Sequence, residues 1–114
     1  MTHYGYVGLG NLGGHLAASL LRAGYAVTVH DVNKARAAHL IEAGAQWADS
    51  LSQLAKEVDH VFTCLPSPVA TEAVVSQLLP VMKSGATWIE NSTLGRDQIL
   101  SFANRANAHG VKML

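Results

Sequence analysis

A single cysteine, Cys64, stands among the 114 residues, so the chain cannot close a disulfide on itself. A lone thiol fits a reducing compartment, and a cytoplasmic location is expected. Charge is also scarce. Only 14% of residues are charged, with eight basic against eight acidic, for a net charge of zero. No basic excess points to nucleic acid, and no block of like charge reads as a tail. No apolar run approaches the roughly 18 residues that span a bilayer. The opening MTHYGYVGLG has no basic stretch leading into an apolar one, so neither a secretory nor a transit leader is expected. Internal repeats and low-complexity segments are lacking. What is plentiful is apolar material, at 49% of the chain, and a packed core is expected from it. Near-zero charge with a mean hydropathy of +0.17 also implies apolar surface left over for a partner.

The apolar residues are arranged in alternating periods. Tyr4–Leu9 reads as a short buried strand. Asn11–Ala23 follows with Leu12, Leu16, Leu20 and Ala23 at helical spacing, Ala17 and Leu21 widening that face. Gly24 sits where the helix should stop. AVTVHD, residues 26–31, is β-branched and strand-like. Asn33 can cap a helix over 34–43. AQWA is a short strand candidate, and Ser50 can cap a helix to about Lys56. DHVFTCL is a strand stopped by PSP, and 69–79 is helical with Val74, Val75, Leu78 and Leu79 on one face. ATWIEN is a further strand. Residues 97–108 form a helix with Ile99, Leu100, Phe102, Ala103 and Ala106 turned inward, and VKML begins a last strand. Strand-helix alternation of this kind predicts an α/β fold of the Rossmann type. A doubly wound, mainly parallel sheet would carry helices on both faces.

One stretch carries chemistry. Gly8, Gly10 and Gly13 form G-x-G-x-x-G between the first strand and the first helix. Gly8 permits a tight turn, Gly10 lets backbone approach a pyrophosphate, and Gly13 lets the helix pack against the strand. Amides around Leu9, Asn11 and Leu12 would face the anion with the helix dipole behind them. Tight packing alone would explain Gly13 but not both Gly8 and Gly10. Gly14 is an additional glycine to which the motif assigns no role. Asp31 ends the second strand, 18 residues beyond Gly13. A carboxylate there can accept hydrogen bonds from the adenosine ribose and repel a 2′-phosphate. NAD is therefore the preferred cofactor, although Lys34 and Arg36 lie close enough to admit NADP. Asp31 also has a plainer role open to it, as an N-cap for the next helix near Asn33 and Lys34.

GLGNLGGHLAASLLRAGYAVTVHD resembles the opening of the β-hydroxyacid dehydrogenases, the group of 3-hydroxyisobutyrate and 6-phosphogluconate dehydrogenases. CLPSP and ENSTL fall where that family has later cofactor-contacting loops. The resemblance implies a domain that binds NAD or NADP and, in a complete enzyme, oxidises a β-hydroxy acid or reduces a semialdehyde. It places Leu65 and Pro66 along the cofactor, Thr93 near the nicotinamide ribose, and Ser92 beside the substrate pocket. The chain departs from the family at several points. Leu12 replaces a usual Met, His15 a frequent Pro, Ser19 a frequent Asn, and Ala70 stands near a cofactor-touching Asn. Gly95-Arg96 occupies the place of a usual Pro. The family's catalytic lysine lies beyond a glycine-rich segment, at the junction with an all-helical domain, and none of Lys34, Lys56, Lys83 and Lys112 matches it. Residues 1–114 therefore read as a single dinucleotide-binding domain without the helical catalytic domain, and no catalytic residue is assigned. A stand-alone binding or interaction module, pairing with a copy of itself or with a complementing chain, stays open as an alternative.

Other chemistries have weaker support. Six histidines, His3, His15, His30, His39, His60 and His109, show no H-x₃-H or H-E-x-x-H spacing, so no metal site is assigned. Cys64 reads as a small buried residue rather than a nucleophile. Ser92 and Thr93 lack a G-x-S-x-G elbow. Neither nucleic acid nor membrane is an expected partner.

Overall fold

A computed structural model describes residues 2–92 and 94–114, with the side chains of Asn11 and Leu12 left outside the description. The strands are β1 (His3–Val7), β2 (Ala26–His30), β3 (Gln46–Trp47), β4 (His60–Thr63), β5 (Thr87–Glu90) and β6 (Lys112–Met113). The helices are α1 (Asn11–Arg22), α2 (Ala38–Glu42), α3 (Leu51–Glu57), α4 (Pro68–Leu78) and α5 (Arg96–Ala108). All strands pair in parallel, in the order β3-β2-β1-β4-β5-β6. That is the doubly wound dinucleotide-binding order, with its switch point between β1 and β4.

Side chains on successive strand residues point to opposite faces, which splits the core in two. Tyr6 lies in one apolar cluster with Ala17 of α1 and Leu40 of α2. Its neighbour Val7 lies in the other, with Leu54 of α3, Leu78 of α4 and Phe102 of α5. Trp88 is 1% exposed, meets Phe102 edge-on at 5.7 Å, and donates its indole N–H to the Thr63 hydroxyl at 2.8 Å. A large aromatic body and a satisfied polar tip let it fill the centre of that layer. Serine hydroxyls cap two helices: Ser50 accepts from the Gln53 amide and Ser67 from the Ala70 amide, each at 3.1 Å. Such caps contribute about 1 kcal/mol each.

Three local expectations are corrected. Residues 34–43 do not form one helix. Lys34–Ala37 is a 3-10 turn, in which the Arg36 amide donates to the Asn33 carbonyl, and α2 begins only at Ala38. The Asn33 side chain accepts from the Ala35 amide and tightens that entry. Ile99 and Leu100 do not face inward: they are 43% and 51% exposed, and α5 buries Phe102 and Ala106. In α1 the buried line runs through Gly13 and Ala17, whereas Leu16 and Ala23 face outward.

Candidate functional site

The carboxyl ends of β1, β2 and β4 open into a cleft of about 590 Å³. Gly8, Gly10 and Gly13 form its floor, and His30, Asp31 and Val32 its β2 side. Leu65, Pro66, Ala70 and Val74 form the wall toward α4. Leu51 of α3 and Cys64 complete the apolar lining, and Arg36 stands at the rim. A cleft at the switch point is where doubly wound sheets take ligands.

The three motif glycines have different reasons to be glycine. Gly8 has a φ of +94°, and a side chain there would run into the Cys64 carbonyl. A Cβ on Gly13 would strike the Gly8 carbonyl, with the Tyr6 ring next at 3.4 Å. Gly8 is therefore required by the close approach of the chain after β4, and Gly13 by the crossing of α1 over the end of β1. Packing thus accounts for Gly8 as well as Gly13, and it leaves Gly10 without such a reason among the described residues. Gly10 differs. Among the described residues, a Cβ there would meet only the Arg36 guanidinium, at 3.9 Å, an ordinary contact. Gly10 also precedes α1 as its N-cap with no side-chain cap, and its open face looks into the cleft. A bare backbone at a helix start with room above it can take an anion.

Asp31 is 6% exposed and is held from two sides. The Leu9 amide donates to Oδ2 at 2.7 Å and the Asn33 amide to Oδ1 at 2.9 Å. The N-cap of the 3-10 turn that follows is Asn33, which corrects the expectation that Asp31 would serve as one. The Asn33 contact forms the turn, while the Leu9 contact ties the carboxylate to the glycine loop. An ionised carboxylate offers about four lone-pair sites, so two amides leave it room to accept from ligand hydroxyls.

Behind the far wall, side chains of β4 and β5 tie the loops that follow them. The Leu65 amide donates to the Ser92 hydroxyl at 2.6 Å, joining the loops after β4 and β5. The Ser92 amide donates to Glu90 Oε1 at 2.5 Å, and the Thr63 hydroxyl to Glu90 Oε2 at 2.8 Å. Ser92 thus braces Leu65, one of the residues expected along the cofactor. Thr93 lies outside the described residues. Burial pushes the Cys64 thiol up, with the Glu90 charge adding to it, which suits a packing residue rather than a nucleophile. Burial likewise pushes Tyr6 up to about 12, its hydroxyl lying 3.5 Å from the Asn91 amide nitrogen.

Among the described residues, no three His, Cys, Asp or Glu side chains converge as a metal site would require. Glu90 was missed by sequence reasoning, since its partners lie 27 residues away in Thr63 and two away in Ser92. Leu51 and Val74 were read only as helix residues. Their signal was apolar character beside the motif loops, which spacing alone does not separate from core.

Residues 3–114 match the family model described as the NAD binding domain of 6-phosphogluconate dehydrogenase. The chain is 34% identical over 117 residues to 3-hydroxyisobutyrate dehydrogenase of Pseudomonas aeruginosa, a match that covers 100% of this chain and 39% of that protein. It superimposes on the structure of Mycobacterium tuberculosis 3-hydroxyisobutyrate dehydrogenase with a TM-score of 0.94 and 26% identity, over 99% of this chain and 39% of that one. An imine reductase from Pseudomonas sp. superimposes with a TM-score of 0.91 and 30% identity, over 98% and 39% of the two chains. The chain therefore spans about two-fifths of the length of these relatives. No described helix is long and apolar enough to cross a membrane.

Proposed function

Because the chain belongs to the family of NAD binding domains of 6-phosphogluconate dehydrogenase, we propose that it holds NAD in the switch-point cleft for a β-hydroxyacid dehydrogenase-like oxidoreductase. The observation that carries this reading is Gly10, which lines the cleft and, among the described residues, has no packing reason to be bare. Residues 1–114 act as one dinucleotide-binding domain. Gly8, Gly10 and Gly13, with the amides of Leu9, Asn11 and Leu12, take the pyrophosphate. Asp31 takes the adenosine ribose, and Leu65 and Pro66 lie along the cofactor toward Ser92 and Thr93. The bound nicotinamide supplies hydride transfer to or from a β-hydroxy acid or semialdehyde. The residues of this chain position the ring and exclude water from it. The proton-handling group comes from outside these residues, so the chain alone is not expected to turn over substrate.

The buried Asp31 carboxylate favours NAD over NADP, because a 2′-phosphate beside it would meet like charge. The Arg36 guanidinium at the rim opposes that preference without reaching the Asp31 carboxylate as an ion pair. The free thiol of Cys64 suits a reducing cytoplasm. A second reading, in which the fold works by pairing with another chain, draws on the outward Ile99 and Leu100 of α5.

Calorimetric titration with NADH and NADPH tests the first reading. Wild-type chain should bind NADH about tenfold more tightly or better. Asp31→Ser should move the ratio toward NADPH by about tenfold, equivalent to 1.4 kcal/mol. An unchanged ratio would remove the ribose role from Asp31, and no binding of either nucleotide would remove the cofactor reading itself.

A further inference from the structure

Behind the glycine loop lies a second groove, on the opposite side of the α1 start from the α4 wall. It runs between α1 and the turn leading into α2, encloses about 750 Å³, and shares Gly10 and Arg36 with the dinucleotide cleft. Its floor is made of small residues, Gly14 and Ala18, one helical turn apart. Its sides carry only positive or proton-binding groups: His15 and Arg22 from α1, Arg36 and His39 from across the groove. No carboxylate lines it. Among the described residues no acid pairs with either arginine, and the Arg22 guanidinium bonds only to the Ser19 hydroxyl, at 3.0 Å. His39 Nε2 stands 3.9 Å from where a Gly14 Cβ would be, so its imidazole overhangs bare helix backbone.

We propose that this groove is a binding site for a phosphomonoester, occupied independently of the dinucleotide. The chemistry is that of the donors. Two guanidinium forks and two imidazoles offer N–H groups from both walls, which suits a tetrahedral oxyanion. No Phe, Tyr or Trp side chain lines the groove. The volume exceeds what a bare phosphate ion fills, so an organic group is carried with it. Arg36 sits between the two sites and can face the groove while the cleft is filled. The reading stands whether or not the cleft takes NAD.

The test uses the whole chain in nuclear magnetic resonance titrations, with inorganic phosphate and a pentose 5-phosphate as probes. Saturable shifts are expected at the His15 and His39 imidazoles and at the Gly14 and Ala18 amides. The pentose phosphate should bind more tightly than phosphate. Both should persist with NADH or NADPH at saturation, the cofactors marked by their own shifts at Gly8 and Leu65, which line the cleft and not the groove. The exposed double variant Arg22→Ala/His39→Ala should weaken phosphate binding about tenfold or more and leave NADH affinity unchanged. Non-saturable shifts, or equal affinity in the double variant, would overturn the proposal. So would displacement by NADH, which would put the ion in the cleft, or displacement by NADPH alone, which would give the groove to the nucleotide's 2′-phosphate. If neither dinucleotide binds, the cofactor reading falls, and the phosphate titration still decides this one.

Discussion

The two walls of the cleft are built from different materials. On the β1–α1 side the surface is backbone, shaped by where side chains are missing at Gly8, Gly10 and Gly13, and held by one carboxylate on the Leu9 amide. On the β4 side it is formed by Leu65, Pro66, Ala70 and Val74, backed by hydrogen bonds that run from Trp88 through Thr63 and Glu90 to the Ser92 amide, and between the Ser92 hydroxyl and the Leu65 amide. The first wall is fixed by steric exclusion, which tolerates almost no change. The second is fixed by hydrogen bonds that can be removed one at a time. Steric fixing suits a site that presents bare amides to an anion, while a hydrogen-bonded relay suits a loop whose position must be held but whose side chains set specificity.

The largest effects should come from the first wall, and they should divide by residue. Gly13→Ala and Gly8→Ala each force backbone apart, and Gly8→Ala adds a strained positive φ. Each should cost about 3 kcal/mol or more. Gly10→Ala should leave stability within about 0.5 kcal/mol and lower NADH affinity about tenfold or more, because its methyl meets no described atom closer than the Arg36 guanidinium, at 3.9 Å, and stands where backbone would approach the pyrophosphate. Urea denaturation read beside calorimetry separates the two classes. If Gly10→Ala proved as destabilising as Gly13→Ala, the steric division of the motif would be wrong.

On the second wall the expected cost is smaller and local. Ser92→Ala leaves the half-buried Leu65 amide without its acceptor, which should cost about 1–2 kcal/mol. Hydrogen exchange at Leu65 should quicken while that at Leu9 on the other wall does not. Equal quickening at both amides would mean that the walls are one cooperative unit.

The same contrast explains what could be read from the sequence. The first wall was legible because Gly8 and Gly13 leave no room for a side chain, and Gly10 completes their spacing. Asp31 was legible because it ends a β-branched run. The relay was not, since Thr63, Glu90 and Ser92 are ordinary residues that meet only when β4 and β5 pair, and Ser92 was marked by family resemblance alone. The α5 face misled because Ile99 and Leu100 fit helical spacing, yet periodicity does not reveal that one side of the stripe finds no neighbour. The split at residues 34–43 was hidden for a similar reason: the Asn33 cap was readable, but its tightening of the following turn was not.

A pH measurement sharpens the comparison further. Tyr6 reaches under the relay toward Asn91, and its pKa is pushed up to about 12, first by burial and then by the charges of Cys64 and Glu90. Folding therefore favours the protonated phenol. That contribution is complete below about pH 10, the value of a free tyrosine, and is lost as pH rises from there toward 12. Tyr6→Phe should flatten the alkaline fall in urea midpoint over this window. A fall of undiminished slope would place the alkaline sensitivity elsewhere.

The smallest effect isolates glycine's cost from its use. Gly14 follows the motif, sits in the first turns of α1, and looks like part of the loop's design. A Cβ there would meet the Leu9 carbonyl at 3.6 Å and His39 Nε2 at 3.9 Å, both ordinary contacts. Inside a helix glycine is worse than alanine by about 0.5–1 kcal/mol. Gly14→Ala should therefore stabilise the chain by roughly that amount, raise the melting temperature by a few degrees, and leave NADH affinity alone. Three neighbouring glycines would then give three signs: loss of fold at Gly13, loss of ligand at Gly10, and gain of stability at Gly14. A destabilised Gly14→Ala would mean that the α1 start needs more backbone freedom than its contacts reveal, and the steric account of the first wall would have to extend beyond the motif.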